Sequence, residues 1–157
     1  MARIFITGSS DGIGQIVARK LIAQGHQVTL HARNSQRAKQ AMAAAPGAEG
    51  VLIADLSSIA QTKKLASDAN RTGVFDAVIH NAGIGYGESL QKTEDGIAHV
   101  FAVNALAPYI LTSLMERPKK LIYLSSGLHT GGDASLEDIT WTGGKRWNWL
   151  QAYSDSK

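Results

Sequence analysis

Cysteine is absent from the 157 residues. That removes disulfide scaffolds, thiolate metal sites and cysteine nucleophiles together. No apolar run is long enough to span a bilayer. Ile4-Phe5-Ile6, after Met1-Ala2-Arg3, is too short for the core of a signal peptide, so the reading is no membrane and a cytoplasmic chain. Excess charge of one sign is also slight. Sixteen Lys and Arg against 13 Asp and Glu leave +3, and the basic residues cluster no further than pairs such as Lys63-Lys64 and Lys119-Lys120. A nucleic-acid partner is not expected without a basic stripe. Internal repeats and low-complexity tracts are missing too. What remains, 44% hydrophobic and 18% charged, can bury a core, and residues 1–157 read as one domain.

Short apolar runs alternate with longer amphipathic segments. Ile4-Phe5-Ile6, Val28-Thr29-Leu30, Val51-Leu52-Ile53, Ala77-Val78-Ile79 and Leu121 to Leu124 read as strands. They are nearly continuous in hydrophobicity, which is the pattern of a parallel sheet covered on both faces. Ile13, Val17 and Leu21 form a helical stripe, with Gly25 placed as a C-terminal cap. Ser35 opens an alanine-rich helix that Pro46-Gly47 stops. Ser58 and Gln61 have the spacing of a capping box, and a long helical segment runs from about Glu94 to Met115. Strand and helix alternating predict an α/β fold, a Rossmann-type doubly wound parallel sheet with helices on both faces. The segment 127–145, with Gly131-Gly132 and Gly143-Gly144, reads as a long loop, and Trp141, Trp147 and Trp149 lie in or just after it.

Two places carry chemistry in this pattern. Thr7-Gly8-Ser9-Ser10-Asp11-Gly12-Ile13-Gly14 links the first strand to the first helix. A glycine-rich turn there lets backbone approach a pyrophosphate, and the helix N-terminus supplies free N–H donors. A tight connection with no ligand would have the same spacing. At the end of the second strand comes His31-Ala32-Arg33-Asn34. A carboxylate at this point holds a ribose 2′-hydroxyl, whereas an arginine holds a 2′-phosphate. In a dinucleotide site Arg33 would point to NADP(H), with NAD(H) possible; a solvated arginine at a strand end would look the same.

Taken in order, these residues resemble the short-chain dehydrogenase/reductase family from Arg3 to Lys157. Thr7 to Gly14 is similar to its TGxxxGIG cofactor turn, with Gly8, Ser10, Asp11, Gly12, Ile13 and Gly14 as contacts. Asp55-Leu56 matches the segment that contacts adenine, and Asn81-Ala82-Gly83 matches the NAG motif. Asn104 matches the family's helix asparagine and Ser126 its active serine. Tyr153 and Lys157 match YxxxK. The resemblance implies carbonyl–alcohol interconversion by hydride transfer, with Tyr153 as proton donor or base and a small-molecule carbonyl or alcohol as substrate. Ser126 would hold the carbonyl oxygen, Asn104 would organise a water-linked proton path, and Lys157 would also touch the cofactor. No metal is expected. A dinucleotide-binding sensor of the same fold without turnover is the alternative, and a homodimer or homotetramer is expected for the full-length protein.

The Tyr–Lys pair has its own physical logic. Residues four apart share a helix face. A phenol with a reference pKa near 10 is a poor base at neutral pH, and three pK units correspond to about 4 kcal/mol. One ammonium about 4.5 Å away, at an effective dielectric near 20, supplies roughly 3.7 kcal/mol. Three features depart from the family pattern. Asp11 stands where a basic residue would help bind phosphate. Ser126 and Tyr153 are widely separated, a spacing similar to the retinol-dehydrogenase-like and protochlorophyllide-reductase-like branches. Relatives continue beyond Lys157 through two further strands, so an incomplete domain, aggregation-prone when made alone, is expected.

Overall fold

The fold follows from a computed structural model, which describes residues 1–85, 87 and 89–157. Among the described residues, five parallel strands form one sheet in the order β3-β2-β1-β4-β5. They are β1 (Arg3–Ile6), β2 (Gln27–Ala32), β3 (Gly50–Ile53), β4 (Ala77–His80) and β5 (Lys120–Tyr123). The fifth strand is thus shifted by one residue from the apolar run Leu121 to Leu124. Chain order reverses direction between β1 and β4, and ligands of open α/β sheets bind outside the strand ends at such a switch point.

The period-two alternation of β1 separates the two halves of the core. Phe5 points into a cluster with Leu65, Val78 and Leu111, which joins the sheet to α3 (Ile59–Arg71) and α5 (Ala107–Leu114). Ile4 and Ile6 point the other way, onto Ala18 of α1 (Gly12–Ala23) and Ala41 of α2 (Ser35–Ala44). Helices therefore cover both faces, as the continuous apolar strands require.

The helix boundaries follow local chemistry, with four corrections to the sequence reading. At the end of α1, Gly25 has φ +82, its N–H reaches Ile22 C=O, and His26 N–H reaches Leu21 C=O; this is the paired bonding of a Schellman cap. The stripe that α1 buries is set by Gly14 and Ala18, with Val17 and Leu21 alongside. Ile13 instead stands 66% exposed. Asn34, one residue earlier than Ser35, caps α2 by accepting from Arg37 N–H. Ser58 accepts from Gln61 N–H, but the Gln61 side chain accepts from Asp55 N–H, so only half of a capping box forms. The segment from Glu94 is not one helix. A turn and an antiparallel bridge between Lys92 and Ala98 precede α4 (His99–Phe101), a π-helical stretch (Ala102–Leu106) and α5. The loop at 127–145 begins as a 3-10 turn (Gly127–Gly131), and α6 (Trp149–Asp155) follows.

Candidate active site

The glycine turn after β1 is packed from below and open above. A Cβ on Gly14 would lie 2.4 Å from Asn81 Nδ2 and 2.5 Å from Gly8 C=O, and one on Gly8 would lie 2.8 Å from Ala82 Cα. No side chain fits at either place. Gly12 is the opposite case, with φ +53 and nothing within 4 Å of the Cβ position. The open space thus lies at the N-terminus of α1. Asp11 makes no cap bond to that helix, because its carboxylate pairs with Arg37. The first N–H groups of α1 are left facing the cradle at Gly12, a fitting seat for an anionic pyrophosphate. Exposed Ile13 adds an apolar surface beside it. Ser10 sits behind the turn, its carbonyl accepting from Gln15 Nε2.

His31, the residue that sequence reasoning passed over in favour of Arg33, anchors this turn. Its Nδ1 accepts from Gly8 N–H at 3.0 Å, and its Nε2 lies 3.0 Å from Ala54 C=O. A carbonyl only accepts, so Nε2 carries the proton and Nδ1 is bare. His31 N–H donates to Ser9 Oγ, and Ser9 Oγ donates to Ile6 C=O. The ring is buried, which pushes its pKa down to about 4 against weaker raising contributions from the Ala54 bond and Asp55. A histidine inside an otherwise apolar strand was the available signal. Arg33, by contrast, is exposed at the rim. Burial favours the neutral form of Asp55, but hydrogen bonds from Ser57 and the charges of His99 and Arg33 hold its carboxyl below the usual range. The Leu56 side chain is in the core and borders the cavity beside β4 and α5.

A second constellation forms where the loop after β4 meets α6. Asn81 Nδ2 donates to the carbonyls of Thr7 and Gly8 at 2.9 Å, and Thr7 Oγ1 accepts from the N–H groups of Asn81 and Ala82. The Asn81-Ala82-Gly83 segment is thereby locked to the glycine turn. Asn104, in the π-helical stretch, accepts from Ile84 N–H and donates to Ile84 C=O and Ser156 Oγ. A widened helical turn often marks a functional position. Here it presents a carboxamide that ties the loop after β4 to the end of α6.

Tyr153 and Lys157 converge on the same loop. The Lys157 ammonium lies 5.6 Å from the centre of the Tyr153 ring, and it sits 3.0 Å from where a Gly83 Cβ would be. Asn104 Oδ1 is 3.5 Å from that same point. Burial pushes the Lys157 pKa below the usual lysine range. A Cβ on Gly85 would come within 2.4 Å of the Tyr153 ring, so this glycine leaves the ring its space. The helix ends before Lys157, which follows the cap residue Ser156.

Ser126 caps the 3-10 turn by accepting from Leu128 N–H, while Ser125 Oγ donates to Lys157 C=O. Ser125 also lines a cavity of about 380 Å³ between β4, β5 and α5, together with Thr7, Asn104, Tyr123 and Lys157. His80 is buried on its wall; Thr112 Oγ1 is 3.2 Å from His80 Nε2 and 2.6 Å from the Tyr123 hydroxyl. Burial pushes His80 down to about 4. Of the tryptophans, Trp141 is core: it is 4% exposed and packs with Ala98, Val100 and Ala152. Trp147 meets it edge-on at 4.8 Å. Trp147 and Trp149 line a small recess with Gly85, Gln91 and His99. Among the described residues no group of three His, Asp or Glu side chains is placed to hold a metal, and no helix is long and apolar enough to cross a membrane.

A parallel sheet with its switch point under a glycine turn, and a tyrosine–lysine pair beside that turn, define a dinucleotide-binding fold of the dehydrogenase type. The comparisons narrow the class. The short chain dehydrogenase family model matches residues 2–121, and the chain belongs to that family. It is 63% identical over 143 residues to an uncharacterized oxidoreductase of Emericella nidulans, covering 89% of this chain and 56% of the relative. A crystal structure of a Mycobacterium paratuberculosis protein matches with a TM-score of 0.88 and 29% identity, covering 100% of this chain and 57% of that one. A metagenomic short-chain oxidoreductase solved in complex with NADP matches at TM-score 0.70 and 26% identity, covering 99% of this chain and 69% of that one. The chain thus spans a little over half the length of the curated relative.

Proposed function

We propose that this chain carries the cofactor site and catalytic residues of an NADP(H)-preferring oxidoreductase that interconverts a carbonyl and an alcohol. The observation that carries the reading is the meeting of Tyr153, Lys157, Asn104 and Gly83 beside a turn whose cradle is open only at Gly12. The cradle takes the pyrophosphate, Arg33 the 2′-phosphate, and Asp55 with the Leu56 backbone the adenine end. The NADP held by the metagenomic relative supports that choice, and NAD(H) is the weaker alternative. When bound, the nicotinamide supplies the two-electron redox chemistry.

The chain's own residues handle the proton and the orientation. Tyr153 gives its phenolic proton to the oxygen of a carbonyl substrate and takes one back from an alcohol. The Lys157 ammonium stands 5.6 Å from the centre of the Tyr153 ring, a positive charge beside that phenol. Ser126 keeps its O–H to donate to the substrate oxygen, since Leu128 uses only its acceptor side. Asn104 holds the loop of Gly83 and Ile84 against Ser156, fixing where Lys157 stands, and the resemblance adds a water path from it to Lys157. A sensor without turnover is disfavoured by the presence of both Tyr153 and Lys157. The substrate is a small molecule, and the complete enzyme is a homodimer or homotetramer. The test is the loss of NADPH absorbance with a panel of ketones and aldehydes. Turnover is expected with some of them, faster with NADPH than NADH; an unchanged signal across the panel, with cofactor bound, would favour the sensor.

A further inference from the structure

We infer that His31 is a positioning residue for the dinucleotide, acting through its neutral Nε2–H tautomer as a brace between two separate cofactor-binding segments. The inference rests on the cofactor reading above. His31 touches neither a catalytic group nor the open cradle. Instead its two ring nitrogens bond the backbone of both segments that flank the adenosine half of the site. Nδ1 fixes Gly8 N–H in the glycine turn, and Nε2–H fixes Ala54 C=O, next to Asp55 and Leu56. Ser9 completes the clamp, accepting from His31 N–H while its own N–H donates to His31 C=O. The ring also packs edge-on against Phe5 at 6.5 Å.

The geometry of the bonds selects one chemical form. A proton on Nδ1 would face the Gly8 N–H and leave Ala54 C=O without its donor, and a doubly protonated ring would keep only the Ala54 bond. Holding Gly8 is consequential because its backbone stands at φ +62, where a Cβ would lie 2.8 Å from Ala82 Cα. Release of the Gly8 N–H lets the turn relax, and the α1 N–H groups lose their common aim. Pre-organisation of this kind appears in affinity, since ordering the turn otherwise falls to the ligand.

Amide side chains separate the two bonds. The Asn carbonyl oxygen reaches the place of Nδ1, while the Gln amide nitrogen reaches the place of Nε2. Calorimetric titration of NADPH and NADH into the full chain is the test. His31→Leu is expected to weaken NADPH by about ten-fold or more, the scale of one lost buried hydrogen-bond partner. His31→Asn and His31→Gln, each restoring one of the two bonds, should each recover only part of that affinity. Equal binding by His31→Leu and wild type, or full recovery by either amide alone, would overturn the assignment. A wild-type chain that binds neither dinucleotide would instead overturn the cofactor reading, and this inference with it. If His31→Leu does not fold, the ¹⁵N spectrum of the wild-type ring decides. An Nε2–H signal that shifts on NADPH saturation supports the brace; a proton on Nδ1, or a signal indifferent to NADPH, refutes it.

Discussion

Arg33 and Asp11 set opposing charges at the rim of the cradle, and the structure shows how the conflict is managed. The Asp11 carboxylate, which would repel a 2′-phosphate, is paired with Arg37, leaving the guanidinium of Arg33 exposed. On the proposed reading, charge-assisted bonds from Arg33 to a phosphate would be worth about 1.5–3 kcal/mol, a roughly 10- to 150-fold preference for NADP(H) over NAD(H). Arg33→Ala is expected to erase most of that preference and to leave NAD(H) affinity nearly unchanged, as read by calorimetry. Equal affinities in the unmutated chain would rule the assignment out. The sequence alone singled out Arg33 as a candidate, because an arginine at a strand end is visible in one dimension. It did not identify the Arg37 pairing or the His31 brace, because each joins segments far apart in the chain.

At the scale of elements, β2 and β4 each bury a histidine at their C-terminal ends, His31 and His80. Both are driven to a pKa of about 4 by burial. The unfolded chain, with histidines near 6.5, binds more protons than the folded chain between those values, so stability rises with pH across that window. The contribution is complete above about pH 6.5 and is lost as pH falls toward 4, amounting to about 3 kcal/mol per histidine. Urea midpoints of the full chain should therefore fall steadily from pH 7 to pH 4, and a flat profile would contradict the neutral tautomers. The elements themselves were largely legible. Apolar runs located all five strands, since a doubly covered parallel strand can carry little else, and their alternation with helices gave the doubly wound sheet. The π-helical stretch at Asn104 was not legible, because its widening answers contacts with Ile84 and Ser156 that lie 20 and 52 residues away. The cap at Asn34 was misplaced by one residue because Asn and Ser serve equally well.

For the molecule as a whole, β5 forms one edge of the five-stranded sheet, with Leu121, Ile122, Tyr123 and Leu124 each 36–52% exposed. An apolar strand edge of this kind recruits another chain. Residues 1–157 produced alone are expected to self-associate in sedimentation velocity, and a monodisperse monomer would count against that expectation. The proposed enzyme is expected to assemble as a homodimer or homotetramer. Its activity is expected to depend on one phenol. The most direct test is the steady-state rate of NADPH-dependent carbonyl reduction by Tyr153→Phe, measured beside NADPH affinity in the same protein. The rate should fall by about 10²- to 10⁴-fold, the usual worth of a positioned proton donor, with NADPH still bound. A variant that retains a sizeable fraction of the wild-type rate would place the proton donor elsewhere and contradict the mechanism.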